Sequence, residues 1–387
     1  MHPISRMDRR APDYIIDPEG EVIIILRNAD SPFAQPLEDT VTGMALPKPS
    51  HRTQSPAEVI ESPQTNSETS RNKRRNKGLS ASPTSPKPAS TEGPQIDEQL
   101  ENNCFYIQVS AKHLMFSSSV FKSMLSGGWK ESVEFQQKGS IELTADSWGI
   151  EDFMIVLRAM HGKFYLIPRK LTLEMLAKVA VIVDYYDCKE ALDILKDTWI
   201  NNLEEKISTT YSRNLILWLW ISWFFQLRLQ FKETTSTVMS RSENQINGWG
   251  LPIPDKVIGL MNTSREGAIN NLLLRLHASR EALLGGSRGC GFECRAILYG
   301  ALTMQMQSSQ LLSPKPAAPF PRLDYKVLRS KILSFKSPKW SNCNQARDPG
   351  GYYNTNTARH TCPDSSFATL FANFNECIEG LDLNGLD

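Results

Sequence analysis

The sequence lacks the marks of a secreted, disulfide-stabilised protein. Its first residues, MHPISRMDRRAPDY, contain no apolar core like that of a signal peptide, so we expect no secretory signal. The seven cysteines are odd in number and widely spread, which argues against a disulfide framework. Both absences are typical of an intracellular, reducing compartment, and they leave nucleus and cytoplasm as open alternatives.

Long apolar runs and an excess of one charge are also missing. The most apolar segment lies at residues 214–231, and its uninterrupted part, Leu215 to Phe225, is 11 residues long. A membrane-spanning helix needs roughly 20 residues, so this segment predicts a buried helix and no membrane association. Lys and Arg number 43 against 42 Asp and Glu, a net charge of +1. This balance excludes bulk attraction to nucleic acid or to an anionic membrane.

Aromatic residues are absent from Ala34 to Cys104, and between Pro47 and Gln95 Ser, Thr and Pro supply 22 of 49 residues. Such a composition cannot bury enough apolar area to offset its ordering entropy, which predicts a disordered insertion at 31–103. The insertion contains the run RNKRRNK, flanked by Ser-Pro pairs that phosphorylation could target. The run is either a nuclear-import signal or a solvated part of the linker. Its basic residues are Arg71, Lys73, Arg74, Arg75 and Lys77.

Ordered elements are predicted on both sides of the insertion. The β-branched run from Glu21 to Leu26 indicates a strand covered on both faces. After the insertion, FYIQV predicts a second strand, SSSVFKSMLSGG a short capped helix and SIELT a third strand. DFMIVLRAM and LEMLAKVAVIV predict two helices, the second of them central because it is apolar nearly all round.

The rest of the chain predicts helices and then loops. Pro252 and Pro254 predict an interruption over LPIPDKVIGLM, and two amphipathic helices are predicted after it, over SREGAINNLLLRLHASREALL and CRAILYGALTMQMQSSQLL. His161 and His277 are expected on the surface or at helix caps. The resulting layout is a flexible tail at 1–12, first strands at 13–30, an insertion at 31–103, a mixed segment at 104–199, a helical region at 200–312 and a loop-rich tail with a short terminal helix at 313–387.

This order of elements resembles a BTB (POZ) domain, and more closely a fungal group with a long insertion after the first strand and a helical C-terminal half. The resemblance rests on FYIQVSAKHLMFSSSVFKSML, SIELT, FMIVLRAMHGK and LEMLAKVAVIVDYYDCKEAL. In one respect the chain departs from the family. Roughly 70 residues separate two strands that a short turn usually joins. Closing a loop costs only about 0.6 kcal/mol more for each doubling of the loop length, so an insertion of this size is tolerable. The resemblance implies an α+β BTB/POZ fold, a small sheet with a cluster of α-helices, followed by an all-α region.

The resemblance also implies a function, which is protein binding without catalysis, either self-association as a homodimer or recruitment of partners as a scaffold. Some members of the family are substrate adaptors for cullin-type ubiquitin ligases, and they have a hydrophobic-x-Glu motif after the short helix. Trp129-Lys130-Glu131 falls at that place. Alternatively, Trp129 covers its own core and Glu131 is a solvated charge. The candidate partner-binding residues are Phe121, which we expect to be mainly core, and Met124, Leu125, Trp129 and Glu131, nearer the surface.

A nucleic-acid-binding regulator is a further alternative, in which the basic run contacts phosphates. The run has no aromatic residue nearby on which bases could stack, so nucleic acid is a less favoured partner.

Catalytic motifs are scarce. Gly285-Gly286-Ser287-Arg288-Gly289 fits G-x-S-x-G, but that motif needs a preceding strand, and the residues before it predict a helix. The sequence contains no Walker loop, no G-x-G-x-x-G and no H-E-x-x-H, so we expect no enzyme and no catalytic cofactor.

One metal site is indicated. Cys290 and Cys294 stand four apart at a predicted helix start, and His360 and Cys362 lie much later in the chain. Two such pairs would supply the four N and S ligands of structural zinc. Cys343 and Cys377 are alternative ligands, and free cysteines packed as small apolar residues are the alternative to any metal.

Overall fold

A small mixed sheet begins the fold in the computed structural model, which describes residues 10–29, 31–36, 104–341, 360–374 and 377–386. Its strand order is β1-β3-β2-β4, with β2 and β3 antiparallel and the two outer pairings parallel. The strands are β1 Tyr14–Ile15, β2 Val22–Arg27, β3 Phe105–Val109 and β4 Ile141–Asp146.

One face of the central strand β2 carries the core of the sheet. Val22, Ile24 and Leu26 are at most 1% exposed, as the alternation of side chains along a strand requires. Ile23 and Ile25, on the opposite face, are only half-buried. The predicted strand is confirmed, and of the two faces expected to be covered, the second is covered only in part.

Twelve α-helices lie within the described residues, which makes the architecture α+β with a helical C-terminal part. They are α1 Ala111–Ser117, α2 Ser119–Ser126, α3 Lys130–Lys138, α4 Ile150–Met160, α5 Leu173–Tyr185, α6 Asp193–Asn201, α7 Arg213–Phe224, α8 Arg228–Arg241, α9 Asp255–Leu284, α10 Phe292–Ser308, α11 Tyr325–Leu333 and α12 Phe367–Leu370.

The helical part shares its core with the segment that contains the sheet. Helices α5 and α7 are both buried over most of their length, as the sequence predicts. Trp220 of α7 donates from Nε1 to the carbonyl oxygen of Ala177 in α5 at 3.2 Å. Helix α5 ends before Asp187, which has a positive φ of 47°, so the predicted break at this point is present.

Three helices differ from the sequence prediction. Helix α3 follows Trp129, where no helix is predicted. Helix α9 begins directly after Pro254, which is its N-cap, so most of the predicted interruption is helical. Helix α11 lies in the tail expected to be loop, and its N-cap carboxylate, Asp324, accepts the N–H of Val327 at 2.8 Å.

The basic run and nearly all of the predicted insertion lie outside the described residues. Among the helices that are described, none is both long enough and apolar enough to cross a membrane.

Candidate functional site

Two segments that are far apart in the sequence meet at the start of α10. Cys290 lies in the loop before this helix and Cys294 lies in its first turn. His360 and Cys362 belong to the segment that leads to α12. The ligand atoms of these four residues all lie within 4.8 Å of one another. The structure therefore brings together the two pairs singled out in the sequence.

Two short contacts each join one residue from each segment. Cys290 Sγ lies 3.4 Å from His360 Nε2, and Cys294 Sγ lies 3.8 Å from Cys362 Sγ. Cys294 is buried, His360 and Cys362 are half-buried, and Cys290 is exposed. Among the alternative ligands, Cys377 lies outside this cluster and Cys343 lies outside the described residues.

Polar contacts fasten the two segments together beside the cysteines. The carboxylate of Asp364 accepts the backbone N–H of Gly289 at 2.9 Å and pairs with the guanidinium of Arg288 at 2.9 Å. These contacts hold the pKa of Asp364 below its usual value, chiefly through the Gly289 hydrogen bond. The sequence motifs do not predict this role of Asp364. Its position two residues after the candidate ligand Cys362 is the signal that could have indicated it.

A third segment packs against the histidine. The ring of Trp340 stacks on that of His360 with centroids 4.7 Å apart, and the backbone N–H of His360 donates to the carbonyl oxygen of Trp340 at 2.9 Å. The imidazole is thereby held by contacts that need no metal.

The glycine-rich loop before α10 serves close packing. Gly289 has a φ of +88°, and a Cβ built there would stand 2.6 Å from Cγ of Arg295. The loop follows helix α9, and Ser287 Oγ donates to the carbonyl oxygen of Ala282 at 3.2 Å. The strand that a nucleophile elbow requires before its serine is replaced here by a helix.

Burial makes the metal-free thiol of Cys294 hard to ionise. Its pKa is raised to about 11, mainly by desolvation, with a backbone hydrogen bond from Cys290 acting in the opposite direction. A buried neutral thiol is a poor nucleophile, so without a metal Cys294 is poorly suited to thiol catalysis.

The candidate partner-binding residues divide between core and surface. Phe121 and Leu125 are 3% and 2% exposed, so the expectation that Leu125 lies near the surface is wrong. They stand four apart on α2, and this spacing turns both side chains inward. Met124 and Glu131 are half-buried, and Trp129 is 64% exposed.

Helix α2 is held in place by the serines that precede it. Ser118 Oγ accepts the N–H of Phe121 at 3.1 Å and donates to the carbonyl oxygen of Tyr186, while Ser119 Oγ donates to Asp187. The Phe121 ring stacks on Tyr186 with centroids 4.6 Å apart. The serines therefore act as caps and tethers that fix α2 against the end of α5.

Comparison of the chain with known protein families, with curated proteins and with solved structures found no match.

Proposed function

We propose that this chain is a non-enzymatic protein–protein interaction module of BTB/POZ type, and that the start of α3 is part of its contact surface. The exposure of Trp129 is the observation that carries the proposal. Of eight tryptophans in the sequence, Trp129 is the one whose side chain is largely exposed. Tryptophan is enriched at interfaces because it supplies a large contact area at low entropic cost.

A second exposed apolar residue extends this surface. Val133 stands four residues after Trp129, and its backbone N–H donates to the Trp129 carbonyl oxygen at 3.1 Å. Side chains at this spacing share one helical face, and Val133 is 46% exposed. Ser132, between them, is fully buried. Helix α3 thus packs on its own domain through one side and presents an apolar side to solvent.

The arrangement of strands supports the BTB assignment. Strands β2 and β3 pair in antiparallel register although β2 ends at Arg27 and β3 begins at Phe105. This is the pairing that the family makes through a short turn. The cap of Ser118 on Phe121 and the buried helices α4 and α5 agree with the same assignment.

A role as adaptor for a cullin-type ubiquitin ligase is the second candidate. Trp129-Lys130-Glu131 follows the short helix α2, and both Trp129 and Glu131 reach solvent. A carboxylate beside an exposed aromatic ring suits a partner that offers an apolar pocket with a basic rim.

The test compares the full chain with Trp129→Ala and Val133→Asp. Leu229→Ala is the matched control, since Leu229 is 82% exposed on α8 and lies outside the proposed surface. Light scattering over a range of concentrations measures self-association, and purified cullin N-terminal domains in a binding assay test the adaptor role.

We expect the two α3 variants to lose binding at least about tenfold, the size of effect that removal of a central contact residue produces. We expect the Leu229 variant to bind like the wild type. If self-association and cullin binding are both unchanged in Trp129→Ala and in Val133→Asp, this surface is not the contact site. If the chain is monomeric and binds no cullin, cross-linking followed by mass spectrometry must find a partner peptide at α3, or the proposal fails.

A further inference from the structure

We propose that Cys290, Cys294, His360 and Cys362 bind one Zn²⁺ in a closed structural site. This proposal is independent of the interaction function, because it concerns how the C-terminal segment is attached to the helical region.

The convergence of these residues is selective. The structure describes six cysteines, and three of them meet here; the others, Cys104, Cys188 and Cys377, lie outside the cluster. The fourth member is a histidine whose Nε2 faces a thiol. Packing of cysteines as small apolar residues does not explain why an exposed thiol and an imidazole join a buried thiol at one point.

Two separations in the cluster agree with the edges of a tetrahedron around zinc. Zn–S bonds of about 2.3 Å and Zn–N bonds of about 2.0 Å imply edges of roughly 3.8 Å between two sulfurs and 3.5 Å between sulfur and nitrogen. Two of the observed separations match these edges, 3.8 Å for Cys294 Sγ to Cys362 Sγ and 3.4 Å for Cys290 Sγ to His360 Nε2, and all four ligand atoms lie within 4.8 Å of one another. A disulfide between Cys294 and Cys362 would need a separation of about 2.05 Å.

The surroundings are built to hold the ligands in place. The pairing of Asp364 with Gly289 and Arg288 joins the two ligand segments, and Trp340 fixes the imidazole plane by stacking. The N–H of Ser365 donates to the carbonyl oxygen of Cys362 at 3.0 Å, which closes a turn directly after that ligand. Contacts that surround the ligands and hold them in a fixed orientation are characteristic of structural metal sites.

The donor set selects the metal and its role. Three thiolates and an imidazole are soft or borderline ligands that suit zinc and leave no open position for substrate. Binding displaces protons from the thiols, and its free energy stabilises the fold. The consequence for this chain is that residues 360–374 are tied to α10 by the metal.

The first experiment is metal analysis of the full chain purified under reducing conditions. We expect about one zinc per chain, and fewer than about a tenth after Cys294→Ser or Cys362→Ser, since each removes one of four ligands. Cys377→Ser is the matched control, because Cys377 lies close in sequence, is exposed and is outside the cluster. Wild-type protein that holds less than about a tenth of an equivalent even after incubation with zinc overturns the proposal.

A second experiment uses wild-type protein alone, in case the variants do not fold. Cys290 and Cys377 are both exposed, so both should react with iodoacetamide if neither binds a metal. We expect Cys377 to react at once and Cys290 to react only after a chelator is added. Equal labelling of the two before chelation, or an intact mass that shows a Cys294–Cys362 disulfide in the freshly reduced protein, contradicts the proposal.

Discussion

The backbone N–H of Ser110 donates to Nε2 of His161 at 3.0 Å and so joins the end of β3 to the end of α4. The other ring nitrogen, Nδ1, lies 2.7 Å from the Leu157 carbonyl oxygen. Since Nε2 accepts and Nδ1 donates, this imidazole is neutral. His161 caps α4 as predicted, but it is buried rather than on the surface.

This geometry predicts that His161 makes stability depend on pH. Burial lowers its pKa and outweighs the Leu157 hydrogen bond, which raises it; His113 and Lys163 lower the pKa further, and Asp17 raises it. Below about pH 6.5 the unfolded chain therefore binds more protons than the folded one, and the contribution of His161 falls as the pH falls. Urea unfolding of wild type and His161→Gln from pH 8 to pH 5 should show the advantage of wild type shrinking. A constant difference contradicts this prediction.

The buried carboxyl of Asp152 is expected to make the stability of the protein depend on pH in the opposite direction. The residue is 4% exposed, and burial raises the pKa of its carboxyl to about 6 although Lys178 Nζ lies 4.0 Å away. As the pH rises from about 4 to above 6, the folded state keeps a proton that the unfolded state releases, so stability is lost.

Asp152→Asn should therefore stabilise the protein at pH 8 by on the order of 2 kcal/mol, with no gain at pH 4. Glu151→Gln is the control, because Glu151 is exposed next to it in the same turn. Thermal unfolding at the two pH values is the measurement, and an equal effect of Asp152→Asn at both would refute the assignment.

Substitution of Arg265 is expected to destabilise the protein strongly. Its side chain is fully buried in α9, and its guanidinium donates to backbone carbonyl groups from two other segments. The acceptors are Ser242, Glu243, Pro319, Phe320 and Leu323.

Arg265→Met should cost at least about 3 kcal/mol, because it leaves several buried acceptors unpaired. Arg265→Lys should also destabilise, since one ammonium cannot reach acceptors that a planar fork spans. Arg228→Lys, at an exposed position on α8, should change stability by less than about 0.5 kcal/mol. Chemical denaturation of the three variants measures these changes in the free energy of unfolding. If Arg265→Met destabilises the protein no more than Arg228→Lys does, solvent can replace the guanidinium and the prediction is wrong.

The two aromatic residues near α2 should differ sharply in their effect on folding. Phe121→Ala removes a buried ring stacked on Tyr186 and should cost about 3 to 5 kcal/mol. Trp129→Ala removes an exposed ring and should change stability by less than about 0.5 kcal/mol. The midpoints of urea unfolding measure both, and a large loss with Trp129→Ala would mean that this ring is structural.

Periodic patterns in the sequence predicted the strands, α4, α5 and α7, and residue type and spacing singled out both pairs of candidate ligands. Helix α3 escaped prediction because KESVEFQQK is mostly polar, and Ser132 is its one fully buried residue. Helix α9 was predicted too short because Pro254 breaks a helix only when it stands inside one, and here it precedes the first turn. Spacing could not show that His360 and Cys362, rather than Cys377, approach α10, since that depends on long-range packing.

The pairing of β2 also fixes an order of events during synthesis. Its antiparallel partner begins only at Phe105 and its parallel partner at Ile141. At about 5 to 20 residues per second, the ribosome needs roughly 4 to 16 seconds after Arg27 to produce Phe105. During that interval the run Val22–Leu26, rich in isoleucine and without charge, lacks both of the strands that it pairs with in the described part of the chain. An unpaired segment of this kind is an aggregation hazard, so we expect the yield of folded protein to depend on how well the nascent chain is shielded during those seconds.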